Sequence, residues 1–294
     1  MEKVGTGINW KSWLGMVLLS IIWGSSFMLI KRALVVFPPY QVTTLRLGIA
    51  GLVFIPYFIK NIKRIDWSRW QYLLIVSLAG SGIPFFLIPF AQQYVSSSVA
   101  GILNSLAPLF TLVLSIIFFG EIFYKRRALG IVLGLIGAAL LIISSGGMNG
   151  SGNWGAGLLL VLAAIFYAIS ANVVGNKLRG ITPVDITATS FIFIGIPSLI
   201  YLLFSDFHTI LLTHPQGWTA LGYVAVLSLV GTVVATLLFF RLVHDTGAVF
   251  ASTVAYLIPV VAVILGVLDG EEFSFFYFIS AALILIGIYL SKGK

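Results

Sequence analysis

The sequence predicts an all-α polytopic membrane protein of ten transmembrane helices, built as two five-helix repeats of inverted topology. Three observations carry this expectation. The composition is too poor in charge for a surface that faces water, apolar runs of membrane-crossing length recur along the chain, and a set of landmarks repeats in both halves at the same spacing.

The 294 residues are 60% hydrophobic and 9% charged, with a mean hydropathy of +1.09. A soluble domain carries about 25% charged side chains because its surface must be hydrated, so most of this surface is expected to face lipid. There is no cysteine, which excludes disulfides, thiolate metal sites and thiol catalysis. His208, His214 and His244 fall in or beside expected loops without metal-ligand spacing, so no metal or other cofactor is expected. The net charge of +8 lies in short clusters between apolar runs rather than in a basic domain, the pattern of juxtamembrane charges and not of a nucleic-acid surface. The first apolar run lacks a small-x-small cleavage site and reads as a span, not a signal peptide.

Spans of about 20 residues each are expected at 13–34, 40–59, 70–90, 98–119, 127–145, 154–174, 183–204, 218–240, 247–268 and 273–291. Pro38-Pro39, the basic stretch from Lys60 to Arg69, Lys125-Arg126-Arg127, the glycine-rich Gly146 to Gly152, and Asp206 to Gly217 mark loops between them. None of these loops is long enough for a soluble domain.

With ten spans, both termini lie on one side. That side then holds Lys3, Lys11, Lys60, Lys63, Arg64, Arg69, Lys125, Arg126, Arg127, Lys177, Arg179, Arg241, Lys292 and Lys294, against Lys31 and Arg32 on the other. The positive-inside rule places the richer side, and both termini, in the cytoplasm.

In the fourth span Ala100 precedes Pro108 by eight residues and Glu121 follows it by thirteen; Ala251, Pro259 and Glu272 repeat both spacings in the ninth. Trp23 precedes Pro39 by sixteen residues, as Tyr167 precedes Pro183. Each half, 1–147 and 148–294, holds an odd number of spans, so the second is expected upside down relative to the first. Inverted repeats with a site at their interface are a recurrent transporter plan.

Taken together these residues resemble the EamA-type drug/metabolite transporters. The resemblance rests on Trp23-Gly24-Ser25-Ser26-Phe27, Lys31, Pro39, Arg46, Ala100, Pro108, Phe119-Gly120-Glu121 and the glycine-rich Gly130 to Gly137 in the first half. In the second half it rests on Pro183, Pro259, Glu271-Glu272 and Ile286-Gly287. Tyr167-Ala168-Ile169-Ser170 replaces the Trp-Gly type of motif, and Ser190 stands opposite Arg46, so any role of these two motifs is asymmetric. The resemblance implies a ten-helix fold around a central cavity lined mainly by spans 1–4 and 6–9, export of amino acids or related metabolites, and a prokaryotic cytoplasmic membrane.

Arg46 is the most informative side chain. An arginine inside a span costs roughly 2.5–3.5 kcal/mol on insertion scales, so it is expected to meet substrate or a gate in a cavity. The alternative is snorkelling, since it lies seven residues past Pro39, about 10 Å from the outer surface. Trp23 and Ser26 share one helical face with Phe27, and Tyr167 and Ser170 form a similar pair; a cavity wall and close helix packing are both open. Pro108 and Pro259 are expected as hinges near the middles of their spans, freeing the carbonyls of Asn104 and Ala255. The polar side chains of Asn104 and Tyr256 lie beside those carbonyls, and the alternative is a static kink. Gln92 and Gln93 are expected to be solvated at the outer mouth.

All nine acids fall in loops or at span ends. No carboxylate is therefore expected at membrane depth to carry a proton or pair an organic cation. The expected function is alternating-access transport of a zwitterionic, neutral or anionic small molecule, uncoupled or coupled through groups near the surface. Substrate contact falls to Trp23, Ser26, Arg46, Asn104, Tyr167, Ser170 and Tyr256. Ten spans enclose a cavity without a second copy, so a monomer in the lipid bilayer is expected. A hydrophobic-drug exporter is the alternative within the class. An intramembrane enzyme lacks a buried nucleophile, base or metal ligand set, and a scaffold or sensor lacks an extramembrane domain.

Overall fold

The computed structural model describes residues 10–120, 124–145, 154–246, 254–272 and 274–292, with a few side chains inside these ranges, Tyr256 among them, outside the described set. Every regular element among them is helical. The first half contains α1 (Trp10–Ala33), α2 (Pro39–Asn61), α3 (Trp70–Ser77), α4 (Ile83–Ala91), α5 (Ser97–Asn104), α6 (Ala107–Phe119) and α7 (Lys125–Ser145). The second contains α8 (Trp154–Lys177), α9 (Pro183–Phe204), α10 (Phe207–Thr213), α11 (Gly217–Ser228), α12 (Ala235–Thr246), α13 (Val254–Leu268) and α14 (Phe275–Lys292). Among the described residues seven helical stretches are long and apolar enough to cross a membrane, and the shorter apolar helices Ala128–Leu141, Leu257–Leu268 and Phe275–Leu290 occupy three further expected intervals.

The helix limits follow local chemistry. Pro39 and Pro183 open α2 and α9 at positions where a missing N–H costs nothing. The hydroxyls of Ser96 and Thr182 accept from the backbone N–H of Val99 and Asp185 at the starts of α5 and α9. Gly120 ends α6 at φ 70°, the left-handed cap that glycine takes without penalty.

Three local expectations change. The span holding Pro108 is not one bent helix: α5 stops at Asn104, and α6 starts at Ala107 with Pro108 in its first turn. The proline ring has no place against a continuous preceding turn, so the helix restarts there. Pro259, by contrast, lies inside α13. The stretch from Asp206 to Gly217, expected as a loop, contains α10, whose buried Leu211 packs with Phe37 and Val224. Gln92 is buried, and its Nε2 donates to the Phe27 carbonyl at 2.8 Å. Gln93 is exposed, as expected.

Two helices are interrupted by a π-turn: Leu78–Gly82 between α3 and α4, and Leu229–Val234 between α11 and α12. Gly80 and Gly231, inside these turns, are separated by the same 151 residues as Pro108 and Pro259.

The long apolar helices pack through small residues, as is usual where no water drives association. α2 and α9 run antiparallel. Gln41 Nε2 donates to Asp206 at 2.6 Å, Phe54 stacks on Phe191 at 5.8 Å, and the Tyr57 hydroxyl meets Asp185 at 3.0 Å. They cross at Gly51 and Gly195, where a Cβ on Gly195 would lie 2.9 Å from the Gly51 Cα. α7 and α14 pair similarly: a Cβ on Gly287 would lie 2.6 Å from the Gly134 nitrogen, and one on Gly137 would lie 2.9 Å from the Ser280 carbonyl.

Candidate functional site

The charged centre of the site is Arg46, carried on α2 seven residues after Pro39 and 6% exposed. Its Nε donates to Thr232 Oγ1 at 2.7 Å, and Thr232 in turn donates to the Leu227 carbonyl at 3.1 Å. The guanidinium carbon stands 3.6 Å over the centroid of the Phe85 ring, a cation–π arrangement strengthened by the exclusion of water. Two further bonds hold these partners in register. Thr43 Oγ1 donates to the Phe85 carbonyl at 2.6 Å, and Ser228 Oγ donates to the Arg46 carbonyl at 2.7 Å.

The guanidinium is therefore fixed by one edge and one face. Among the described residues no carboxylate lies within ion-pair distance of it, and its Nη groups, the pair that grips a carboxylate through two parallel bonds, take no hydrogen-bond partner. Such an arrangement presents a positive charge and two donor groups from within the helix bundle.

The π-turn Leu229–Val234 gathers several expected residues. Trp23 Nε1 donates to the Gly231 carbonyl at 3.2 Å, and its ring centroid lies 5.2 Å from that of Phe239. Ser26 packs on Gly231, where an added Cβ would lie 2.9 Å from the serine hydroxyl; the hydroxyl itself donates to the Ile22 carbonyl at 2.8 Å. Tyr167 packs against the apolar clusters on both sides of the site and lies within electrostatic reach of Arg46. Ser170 sits on the other π-turn, 2.6 Å from where a Cβ on Gly80 would be. Trp23, Ser26 and Arg46 thus come together around Gly231 and Thr232, Tyr167 lies within reach of Arg46, and Ser170 stands apart at the other π-turn. Asn104 is half-buried at the end of α5, and no hydrogen bond joins it to this group among the described residues. The Tyr256 side chain lies outside the described residues.

A second polar cluster stands at the end of α1. Lys31 Nζ donates to Asp269 at 2.8 Å and to Glu271 at 3.1 Å, and Arg32 pairs with Asp269. Glu271 also accepts from the backbone N–H of Ser97 at 2.9 Å, that of Ser98 at 3.0 Å, and Ser98 Oγ at 2.8 Å. Hydrogen bonding to Lys31 holds the Asp269 carboxyl below its ordinary range. Burial pushes Glu271 upward, but the bonds from Ser98, Ser97 and Lys31 outweigh it and hold that carboxyl low as well.

The EamA-like transporter family matches residues 10–143 and again residues 154–292. The chain belongs to this family. It is 29% identical over 283 residues to the "Uncharacterized inner membrane transporter YedA" of Escherichia coli K12, covering 94% of this chain and 89% of that protein. It is 26% identical over 285 residues to an "Uncharacterized transporter" of Archaeoglobus fulgidus, covering 97% and 99%. A crystal structure 20% identical in sequence superposes with a TM-score of 0.64 over 97% of both chains, a likeness of fold.

In this EamA-like transporter, several residues around the site escape a reading of single helices. Thr232 and Phe85 have no mark in their own apolar runs. The repeat does offer one signal, since Thr232 precedes Pro259 by the same 27 residues as Ser81 precedes Pro108. Asp269 and Glu271 read as loop acids; only the fold brings them to Lys31, which is 240 positions from Glu271.

Proposed function

We propose that this EamA-like transporter is a secondary transporter that exports amino acids or related small metabolites across the cytoplasmic membrane of a prokaryote. Alternating access of two inverted five-helix halves, residues 1–147 and 148–294, drives it. The observation that carries the substrate class is Arg46. It is a buried cation held by Thr232 and Phe85, with its Nη groups unpaired and no carboxylate in ion-pair distance among the described residues. A substrate carboxylate supplies the missing counter-charge, and Trp23 and Tyr167 supply apolar contact beside it.

The two-half architecture is supported by reciprocal contacts. Ser26 on α1 packs on Gly231 of one π-turn, and Ser170 on α8, 144 residues later, packs on Gly80 of the other. Gly51 and Gly195, also 144 apart, touch each other on antiparallel helices, as equivalent positions do beside a twofold axis. Each half thereby presents the later part of its first span to the third span of the other, and rocking at these small-residue contacts changes access to Arg46. The name of the Escherichia coli relative supports the membrane assigned here.

The test is amino-acid flux into proteoliposomes, comparing the parent chain with Arg46→Ala and Trp23→Ala, with and without an imposed pH gradient. Saturable flux lost in both variants is the expected result. Absence of amino-acid flux under both conditions, with flux of lipophilic compounds instead, overturns the substrate class in favour of drug export.

A further inference from the structure

We infer that the cluster formed by Lys31, Arg32, Asp269, Glu271 and the first turn of α5 is the closed gate of the membrane face at which α1 ends, keyed on Glu271. The inference deepens the transport reading and rests on it, since a gate presupposes a path.

Three features separate this cluster from an ordinary surface ion pair. First, it joins three separate segments: the last turn of α1, the start of α5 and the turn after α13. Two belong to residues 1–147 and the third to 148–294, so relative movement of the two parts breaks it. Second, its carboxylates are buried. The side chains of Asp269 and Glu271 are 4% and 5% exposed, against 38% for Lys31. Third, Glu271 is fully engaged, with one oxygen shared by Lys31 and the Ser97 N–H and the other by the Ser98 N–H and hydroxyl. A carboxylate placed on free N–H groups at a helix start also meets the positive end of the helix dipole.

The cluster closes a passage rather than decorating a loop. Directly beneath it, the Phe27 carbonyl of α1 accepts from Gln92 Nε2 at 2.8 Å and from Ser97 Oγ at 3.3 Å, which draws α1 against the start of α5. Ser26 immediately precedes Phe27 on α1 and Trp23 lies one turn further down, both against the π-turn that holds Arg46. Opening at this face moves the end of α1 away from α5 and the turn after α13, breaks the Lys31–Glu271 contact, and uncovers Ser26 and Trp23 from that side.

The absence of cysteine makes the test direct. A single Ser26→Cys reports access to the site, and a single Val35→Cys, at a residue 63% exposed just past α1, reports which face a membrane-impermeant maleimide has reached. Both are labelled in right-side-out and in inverted vesicles. From the face at which Val35→Cys reacts, Ser26→Cys is expected to react slowly in the parent chain. Adding Glu271→Gln or Lys31→Met is expected to raise that rate by about tenfold or more, the population shift expected when a contact specific to the closed state is lost. The Lys31→Met/Glu271→Gln pair is expected to react no faster than the faster single variant, because both remove the same latch. Parental labelling rates in both variants overturn the gate; if Glu271→Gln does not yield monodisperse protein, Lys31→Met decides alone. A parent chain that moves no solute removes the transport reading, and the gate with it, whatever the labelling rates. Saturable flux with unchanged labelling removes the gate and leaves transport.

Discussion

A charged side chain inside a helix bundle must exchange its hydration for protein contacts, and it is costly wherever the exchange is incomplete. Arg46 makes the exchange on one edge and one ring face only. Lysine cannot reproduce this, because an ammonium lacks both the planar face for Phe85 and the fork that grips a carboxylate. Arg46→Lys is therefore expected to weaken substrate binding by roughly tenfold to a hundredfold, the equivalent of losing one charged hydrogen bond of about 1.5–3 kcal/mol. The apparent KM for flux in proteoliposomes reads it. Thr232 acts through Arg46, so its two substitutions separate packing from hydrogen bonding. Thr232→Ser keeps the acceptor and is expected to stay within about twofold of the parent KM, whereas Thr232→Val strands the Nε donor, at a cost of about 1–3 kcal/mol. Equal KM values for the serine and valine variants would show that the hydroxyl does not hold the guanidinium.

Among elements, the contrast between glycines is instructive. Gly195 faces the backbone of α2, where a Cβ would lie 2.8 Å from the Leu47 carbonyl and 2.9 Å from the Gly51 Cα. Gly195→Ala must push the two helices apart and is expected to cost about 1–3 kcal/mol, the usual penalty for overpacking, seen as a lower Tm in detergent. Gly222, in α11, has open space around its Cβ position; Gly222→Ala is expected to stabilise the fold by the roughly 0.5–1 kcal/mol that glycine costs in a helix, seen as a higher Tm. The sequence could not distinguish these two residues, because each sits in an apolar run and the difference lies in what packs against it. The helical intervals themselves were legible, since apolar run length and flanking Pro and Gly act locally. Arg46 and Trp23 stood out because they are rare at that depth. Thr232, Phe85 and Glu271 did not, because their significance comes from partners in distant helices. The π-turns were invisible for another reason: shifting the hydrogen-bond register by one residue leaves composition and periodicity almost unchanged.

For the whole molecule, the cluster at the end of α1 couples stability to pH in a defined direction. Asp269 and Glu271 are held below the ordinary values of 3.8 and 4.5. A depressed carboxyl stabilises the folded state fully above its ordinary pKa, and the contribution fades as pH falls through the lower, folded value. Lys31 and Arg32 face these carboxylates from α1, and Tyr277 faces Glu271 from α14. The Tm difference between the parent chain and Glu271→Gln is therefore expected to be flat near neutrality and to shrink only below about pH 4. A difference that instead shrinks on approaching neutral pH from below would show that another group controls the cluster.

The paired π-turns also carry a historical meaning. A π-turn adds one residue to a helical stretch, and such an addition is a discrete event in a gene. Leu78–Gly82 and Leu229–Val234 lie at matching places in the two halves, so on the two-half reading the addition preceded the duplication that joined them. On that reading, the unit that was duplicated already carried the turn. On the same reading Gly51 and Gly195, which touch in this chain, descend from one position. Arg46 and Ser190 likewise descend from one position on that reading, and their divergence leaves the charge on one half alone.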